Sequence, residues 1–237
     1  MRNKFLVIVA VFALGTFANA QVLDHITGGT GADLVGLNAA QDFSPANSAL
    51  DVQVLEDFTV TGSQLTVTTI EVLMGGFAGF LNGMFTDGTV TNYHVNIYSS
   101  PNAAGALNQG DIYAQTFAPG SMTISGPMGF AETSVLGATI NFTLPAAGTY
   151  WASIQPEMNF SPFGQTGVVR WAAGTFNGGS NAIQANPNGG FFGPPGWIDI
   201  GADVAYRVNA VPEPASMIAL GLGVAALVAR RRRKKLA

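Results

Sequence analysis

The feature that most constrains the fold is an alternation of apolar and polar side chains with a period of two. In the segment NYHVNIYSS one face has Tyr93, Val95 and Ile97, and the other has His94, Asn96 and Tyr98. This period is expected of a half-buried β-strand, and it predicts His94 to be exposed to solvent on the polar face. Further strands are predicted at residues 52–55, 65–73, 112–117, 168–171 and 203–208.

The segment TINFTLPAAGTYWASIQP predicts a β-hairpin. Its first strand contains Ile140, Phe142 and Leu144, a Pro-Ala-Ala-Gly turn follows, and a second strand runs through residues 151–154. Gly-rich turns separate the predicted strands, and residues 174–196 are predicted to form a long loop. Short strands at this spacing predict an all-β fold, an antiparallel two-sheet β-sandwich of jelly-roll-like type.

The N-terminus has the layout of a secretory signal peptide. Arg2 and Lys4 precede an apolar run at residues 5–14, and small residues follow at Ala18 and Ala20. We expect signal peptidase to recognise Ala18 and Ala20 and to cleave after Ala20. A permanent N-terminal anchor is the alternative, but the apolar run is shorter than the roughly 20 residues that a stable span needs.

The C-terminus combines an apolar segment with a basic tail. Residues 215–229 have no charge, and as a helix they would measure about 22 Å, a marginal length for a hydrocarbon core near 30 Å. Six basic residues follow directly: Arg230, Arg231, Arg232, Arg233, Lys234 and Lys235. A dense basic cluster stays on the cytoplasmic side of a membrane, so the body of the protein is predicted to lie outside the cytoplasm.

The body between these ends is strongly acidic. Residues 21–210 contain Arg170 and Arg207 as their only basic residues against thirteen acidic ones, a formal charge of −11 compared with −4 for the whole chain. Such a surface repels nucleic acid, so nucleic acid is not an expected partner. The absence of cysteine excludes disulfides, thiolate metal sites and a cysteine nucleophile.

The sequence VPEPAS at residues 211–216, the apolar segment and the Arg-rich terminus together resemble the PEP-CTERM sorting signal of Gram-negative bacteria. In that family Pro-Glu-Pro, here Pro212, Glu213 and Pro214, is implied to be recognised by a membrane-embedded processing enzyme called exosortase. The two prolines disfavour regular helix, which suits an extended protease substrate. A rigid spacer before a permanent anchor is the alternative. The predicted organisation is a signal peptide at 1–20, a β-sandwich at 21–210 and the sorting signal at 211–237.

The body also resembles, more loosely, the β-sandwich domains found ahead of such signals, at residues 56–58, 93–98, 148–151 and 203–208. Members of that group commonly have no assigned activity, so the resemblance bears on fold more than on function.

Sequence motifs for catalysis or metal binding are scarce. His25 and His94 are the only histidines, and neither has a second ligand at metal-binding spacing. Glu56 and Asp57 are adjacent, so on a strand they point to opposite faces, and we expect them to be solvated at an edge or in a loop. No catalytic residue, metal site or cofactor is predicted. A structural calcium ion is the one alternative kept open, because Asp, Asn and backbone carbonyl oxygens are suitable ligands and secreted β-sandwiches often bind calcium. No D-x-D-x-D-G loop is present, however.

Aromatic residues give one candidate ligand-binding loop. Phe191, Phe192 and Trp197 could form a sugar-stacking platform, or they could fold back to cap the sandwich, which we favour. Trp151 and Trp171 lie within predicted strands and are expected in the core.

These observations predict a non-enzymatic, exported protein of the cell surface or extracellular matrix. It is held transiently in the inner membrane with its body in the periplasm, and is then processed and delivered to the outer surface. The expected partners are signal peptidase, exosortase and the inner membrane, and the family resemblance adds exopolysaccharide and biofilm. Two alternatives remain: a secreted carbohydrate-binding module that uses the aromatic loop, and a secreted hydrolase.

Overall fold

A computed structural model describes residues 20–30, 32–61, 65–128, 132–176 and 179–212, together with Gly223. The predicted signal peptide up to residue 19, the predicted sorting helix apart from Gly223, and the basic tail therefore lie outside the described residues. Within the described residues no helix is both long enough and apolar enough to span a membrane.

Thirteen strands and one short α-helix make up the described body. In chain order they are β1 (Ala20–Asp24), β2 (Leu34–Ala39), β3 (Gln53–Val60), β4 (Leu65–Phe77), β5 (Asn92–Tyr98), α1 (Pro101–Ala106), β6 (Tyr113–Phe117), β7 (Thr123–Met128), β8 (Thr133–Thr143), β9 (Gly148–Glu157), β10 (Gln165–Trp171), β11 (Ile183–Asn186), β12 (Gly196–Asp199) and β13 (Tyr206–Pro212). Three single-turn 3-10 helices lie at Ser48–Leu50, Asn82–Phe85 and Pro119–Ser121.

The strands form two sheets in which the paired strands are antiparallel. Sheet one has the order β1-β13-β4-β10-β2, and β8 pairs with β4 and with β7. Sheet two has the order β12-β11-β3-β9-β5-β6. The prediction of an all-β fold with two antiparallel sheets is confirmed. The finer assignment to the jelly-roll type stays a prediction.

The two sheets pack against each other across one main hydrophobic core. Sheet one contributes Val67, Ile70, Val72, Leu136, Val168 and Val208, and sheet two contributes Val54, Phe58, Tyr93, Val95, Ile97 and Ile154. The hydroxyl of Tyr206 on β13 crosses between the layers. It donates to the carbonyl of Val54 and accepts from the N–H of Ile154, both at 3.0 Å. The buried phenol is therefore fully used, and it fixes β13 against sheet two.

The period-two prediction is confirmed at β5 and at the last strand. Tyr93, Val95 and Ile97 are fully buried in the main core, as are Val204 and Val208. The other face of β5 is covered as well, because Tyr98 packs in a second cluster with Ala104 of α1. Trp171 is fully buried as predicted.

The predicted hairpin at residues 140–154 is wrong, although both of its strands exist. β8 pairs in sheet one, whereas β9 pairs with β3 and β5 in sheet two, so the Pro-Ala-Ala-Gly segment connects the two layers. Leu136 and Ile140 of β8 and Ala152 and Ile154 of β9 all belong to the main core between the sheets. Alternation along each strand is the same whether the two strands pair or pack face to face, so the pattern could not distinguish these arrangements.

The prediction of one long loop at residues 174–196 is also wrong, because β11 lies within it and pairs with β3 and β12. Two polar residues of β11 are buried and satisfied by side-chain hydrogen bonds. Gln184 donates to the carbonyl of Ala39 at 2.8 Å, and Asn186 donates to the carbonyl of Gly193 at 3.0 Å. A strand whose inward positions include buried amides lacks the apolar alternation that identifies strands in sequence.

Candidate functional sites

The predicted sorting tripeptide begins at the end of the last strand. β13 ends at Pro212, which pairs with Leu65 of β4. On its other side β13 pairs with β1, and the described part of β1 reaches only to the pair of Ala20 with Ala210. Pro212 lies beyond the described pairing of β13 with β1. Proline has no backbone N–H to donate, so it is tolerated at a position that is paired on one side only. The last described strand therefore ends at the first proline of the tripeptide.

The same end of the sheet also contains the start of the described body. Because β1 and β13 are antiparallel and Ala20 pairs with Ala210, the first residue of β1 lies beside the last part of β13. The predicted signal-peptide boundary and the first residue of the predicted sorting motif, Pro212, consequently lie at the same end of sheet one.

The first of two histidine–carboxylate clusters, which we call the pocket cluster, consists of His94, Asp42, Asp51 and Glu157. His94 Nε2 lies 3.2 Å from Asp42 Oδ2 and 3.2 Å from Glu157 Oε2, and its Nδ1 lies 3.1 Å from the hydroxyl of Thr116. The prediction of a solvent-exposed His94 is wrong, because its side chain is only 22% exposed and lies between two carboxylates. The strand pattern placed His94 on the correct face but did not show what covers that face.

Burial and charge act against each other in the pocket cluster. Burial lowers the pKa of His94, but the hydrogen bonds and negative charges of Asp42 and Glu157 outweigh it, and the pKa is raised overall. For Asp42, burial raises the pKa, yet hydrogen bonds with His94 and Ser44 bring it below its usual value. For Asp51, burial and the charge of Asp42 raise the pKa to about 7, although the Phe43 N–H hydrogen bond opposes this. A protonated His94 is thus paired with the ionised carboxylate of Asp42.

Three of the four members of the pocket cluster line an open depression of about 560 Å³. Its lining contains Asp42, Asp51 and His94 together with the amides Asn108, Gln109 and Asn188. Asn188 donates to Asp51 Oδ2 at 3.2 Å. The lining is polar and includes no Phe, Tyr or Trp among the described residues, so it offers hydrogen bonds rather than a stacking platform.

The second cluster, which we call the inter-sheet cluster, consists of His25, Glu56 and Asp203. His25 follows β1, Glu56 lies in the interior of sheet two on β3, and Asp203 precedes β13. His25 Nδ1 lies 3.6 Å from Glu56 Oε2, and the potential ligand atoms of all three residues lie within 4.8 Å of one another. The expectation that Glu56 and Asp57 are solvated is wrong, since Glu56 is fully buried and Asp57 is 4% exposed.

Burial dominates in the inter-sheet cluster. It raises the pKa of Glu56 well above its usual value, and the charges of Asp203 and Asp57 add to the effect while the Val204 N–H opposes it. Burial lowers the pKa of His25, although Asp203, Asp57 and Asp24 partly offset this. The pKa of Asp203 is raised, again mainly by burial. Histidine and glutamate are therefore both driven toward their neutral forms.

The structure separates the three residues of the candidate aromatic loop. Phe191 and Phe192 are half-buried against a small cluster around Phe43, with 6.4 Å between the ring centroids of Phe43 and Phe191. Trp197 lies on β12, is 40% exposed, and donates its indole N–H to Asn102 Oδ1 at 3.0 Å. The ligand-binding role of this loop stays a prediction.

Sequence reasoning missed most members of both clusters. Asp42, Asp51, Glu157 and Asp203 come from turns and strand ends that lie far from either histidine along the chain. The composition contained one usable signal. The chain has only two histidines but fourteen Asp and Glu residues, so a carboxylate near each histidine was to be expected.

A family model described as the PEP-CTERM protein-sorting motif matches residues 210–234. The match begins within β13 and extends through the predicted sorting motif, the apolar segment and most of the basic tail. It confirms the resemblance, supports the classification of the chain as a PEP-CTERM exosortase substrate, and implies an exported protein with a C-terminal membrane-anchoring sorting signal. No curated protein and no solved structure matches the chain.

Proposed function

We propose that this chain is an exported, non-enzymatic surface or matrix protein that is processed at Pro212-Glu213-Pro214 and delivered to the outer surface, where it associates with exopolysaccharide. The observation that supports this most directly is the sorting-motif match at residues 210–234, which begins within the last described strand. Signal peptidase and exosortase act as the processing enzymes, and the inner membrane holds the chain between the two cleavages.

The geometry of the last strand favours processing of an already folded body. β13 is held between β1 and β4 as far as Ala210, and Pro212 is the final strand residue. A membrane-embedded enzyme would therefore meet Glu213 and Pro214 next to a rigid body, with no long linker between them. Because Ala20 pairs with Ala210, the residues that adjoin the two membrane-directed segments in sequence lie at the same end of sheet one.

The acidic body suits delivery to a hydrated matrix. Its formal charge of −11 keeps the processed domain soluble and discourages adhesion to anionic lipid. The polar depression at the pocket cluster offers amides and carboxylates to a hydroxyl-rich polymer, which is the support for an exopolysaccharide partner.

The test is replacement of Pro212, Glu213 and Pro214 by alanine in the native host, followed by membrane fractionation and intact-mass measurement. We expect the wild-type mature chain to begin at Gln21 and to end near Pro212, and the triple variant to stay in the inner membrane with its C-terminus intact. Ser216→Ala, just after the tripeptide, is the matched control and should be processed normally. Normal release of the triple variant would reduce the tripeptide to a spacer.

Two other functions have some support. Trp197 is an exposed aromatic on an edge strand, which suits a carbohydrate-binding module, and glycan binding that disappears in Trp197→Ala would favour that function. The opposite pKa displacements of Asp42 and Asp51 resemble an acid/base pair of a hydrolase. However, Asp51 already accepts hydrogen bonds from the Phe43 N–H at 2.9 Å and from Asn188 at 3.2 Å, so its two carboxylate oxygens are both engaged by the protein.

A further inference from the structure

We propose that His25, Glu56 and Asp203 form a binding site for one divalent transition-metal ion, with Zn²⁺ as the best-fitting candidate. The ion would join the two sheets beside the first and last strands of the body. This site is independent of the sorting motif and of the pocket cluster.

The distances match a site that needs only a small contraction. The potential ligand atoms of the three residues lie within 4.8 Å of one another, and His25 Nδ1 is 3.6 Å from Glu56 Oε2. Two ligands bound tetrahedrally at about 2.0–2.2 Å from Zn²⁺ are roughly 3.4 Å apart. The pair of His25 and Glu56 is already near this separation.

The unsatisfied nitrogen of His25 points to a missing ligand. His25 is 8% exposed, and its Nδ1 has no hydrogen-bond partner among the described residues. A buried polar atom without a partner costs free energy, so such atoms are rare and call for an explanation. Bound to a cation, this lone pair would be satisfied, and the facing carboxylate would gain a counter-charge at the same time.

The lack of an arginine partner for Glu56 and Asp203 in the described part of the chain also favours a bound cation at this site. Glu56 is fully buried, and neither arginine forms an ion pair with Glu56 or Asp203 there. Arg207 is engaged by Asp24 and Glu71 on the sheet surface. A buried carboxylate normally pairs with a cation or binds a metal. One imidazole nitrogen and two carboxylates suit Zn²⁺ better than Ca²⁺, which takes six or more oxygens.

The backbone around the three residues is fixed, as a metal site requires. The N–H of His25 donates to the carbonyl of Tyr206 at 2.8 Å, and the carbonyl of His25 accepts from Trp171 Nε1 at 2.7 Å. The N–H of Trp171 donates to the carbonyl of Asp203 at 3.1 Å. Glu56 Oε2 accepts from the Val204 N–H at 2.7 Å, which orients the carboxylate without using all its lone pairs. These contacts supply the support that positions ligands.

An entry route exists on the side of His25. A depression of about 340 Å³ is lined by His25, Asp24, Asp57 and Phe176. The Phe176 ring stacks on the imidazole with 4.4 Å between centroids, which fixes the ring orientation. Two carboxylates at the mouth would attract a cation from solvent, and Asp57 adds negative charge beside the site.

The experiment uses the full chain, stripped of metal with a chelator and titrated with ZnCl₂, and measures bound metal after dialysis together with the melting temperature. We expect one equivalent of Zn²⁺ and a melting temperature higher by about 5–10 °C when free Zn²⁺ is a hundredfold above Kd. CaCl₂ and MgCl₂ at the same concentration should give a smaller increase.

Three near-isosteric variants decide the assignment. Glu56→Gln and Asp203→Asn each remove an anionic ligand while keeping the shape, so both should lose the bound equivalent and the thermal shift. His94→Gln is the matched control, because it removes the other histidine from a carboxylate cluster and should retain both. If Glu56→Gln fails to fold by circular dichroism, the partly buried Asp203→Asn decides alone.

The proposal is overturned if the wild-type chain binds no equivalent of Zn²⁺, if Asp203→Asn binds as the wild type does, or if the equivalent is lost in His94→Gln instead. A Ca²⁺-induced shift that exceeds the Zn²⁺ shift would overturn the transition-metal assignment. None of these outcomes bears on processing at the sorting motif.

Discussion

The pocket cluster and the inter-sheet cluster contain the same residue types in opposite states. Each places a histidine beside carboxylates, but His94 has a raised pKa and faces Asp42, whose pKa is lowered, whereas His25 has a lowered pKa and faces a glutamate whose pKa is raised. At His94 the carboxylates outweigh burial, and at His25 burial outweighs the carboxylates. The side chains of Asp42 and Glu157 are 18% and 20% exposed, whereas that of Glu56 is fully buried.

The difference shows two ways in which a fold with few basic residues can stabilise its carboxyl groups. Near the surface, water and a protonated histidine keep carboxylates ionised at low cost. Between the sheets Glu56 is fully buried and the pKa of His25 is lowered, so a carboxyl group there must be neutral or bind an added cation. The two clusters should therefore differ in how strongly they respond to mutation and to pH.

The largest contrast is expected from truncating one glutamate in each cluster. Glu56→Ala should destabilise the protein by about 3–4 kcal/mol, because it opens a cavity in the core and leaves the buried Val204 N–H without its acceptor. Glu157→Ala, which loses contacts to His94 and Asn92 at the surface, should cost about 1 kcal/mol. Urea denaturation at one pH measures both free energies of unfolding.

Glu56→Gln is the control for shape in this comparison. Its amide oxygen can still accept from the Val204 N–H and it fills the same volume, so the loss should be well below that of Glu56→Ala. Equal losses for the alanine variants at positions 56 and 157 would show that burial does not separate the two clusters.

The next effect is a pH dependence that comes from Asp51. Its pKa is raised from 3.8 to about 7, so the folded state holds a proton that the unfolded chain has released, and stability falls as pH rises between these values. Asp51→Asn removes this loss. Relative to wild type, the variant should be more stable at pH 8 than at pH 5 by about 1–2 kcal/mol.

Denaturation curves at both pH values test this, with Asp87→Asn as the control. A hydrogen bond with Thr89 lowers the pKa of Asp87, so that group does not titrate between pH 5 and pH 8. The difference between the control and wild type should therefore be the same at both values. If the difference in unfolding free energy between Asp51→Asn and wild type is the same at both pH values, Asp51 titrates like an ordinary surface carboxylate.

Sequence patterns predicted the layers and the sorting signal, but not the clusters. Alternation at β5 and around Val204 and Val208 identified inward faces because it depends on only one strand at a time. The pairing of β8 and β9 was wrong because alternation does not encode which strand is the neighbour. Glu56 was expected in solvent because charged residues are rarely buried. Its burial could not be predicted because its neighbours His25 and Asp203 come from distant parts of the chain.

The smallest expected effect is the pH-dependent contribution of His94. Its folded pKa is raised above 6.5, so its ion pairs with Asp42 and Glu157 stabilise the protein fully below pH 6.5, and this contribution is lost as pH rises through the folded pKa. His94→Gln should therefore cost about 1 kcal/mol more at pH 5.5 than at pH 9. Thr116→Val is the control, since it removes only the contact to Nδ1 and should cost the same at both pH values. A His94→Gln penalty that is equal at pH 5.5 and pH 9 would mean that His94, like His25, is held neutral in the folded protein, and the contrast between the clusters would then disappear.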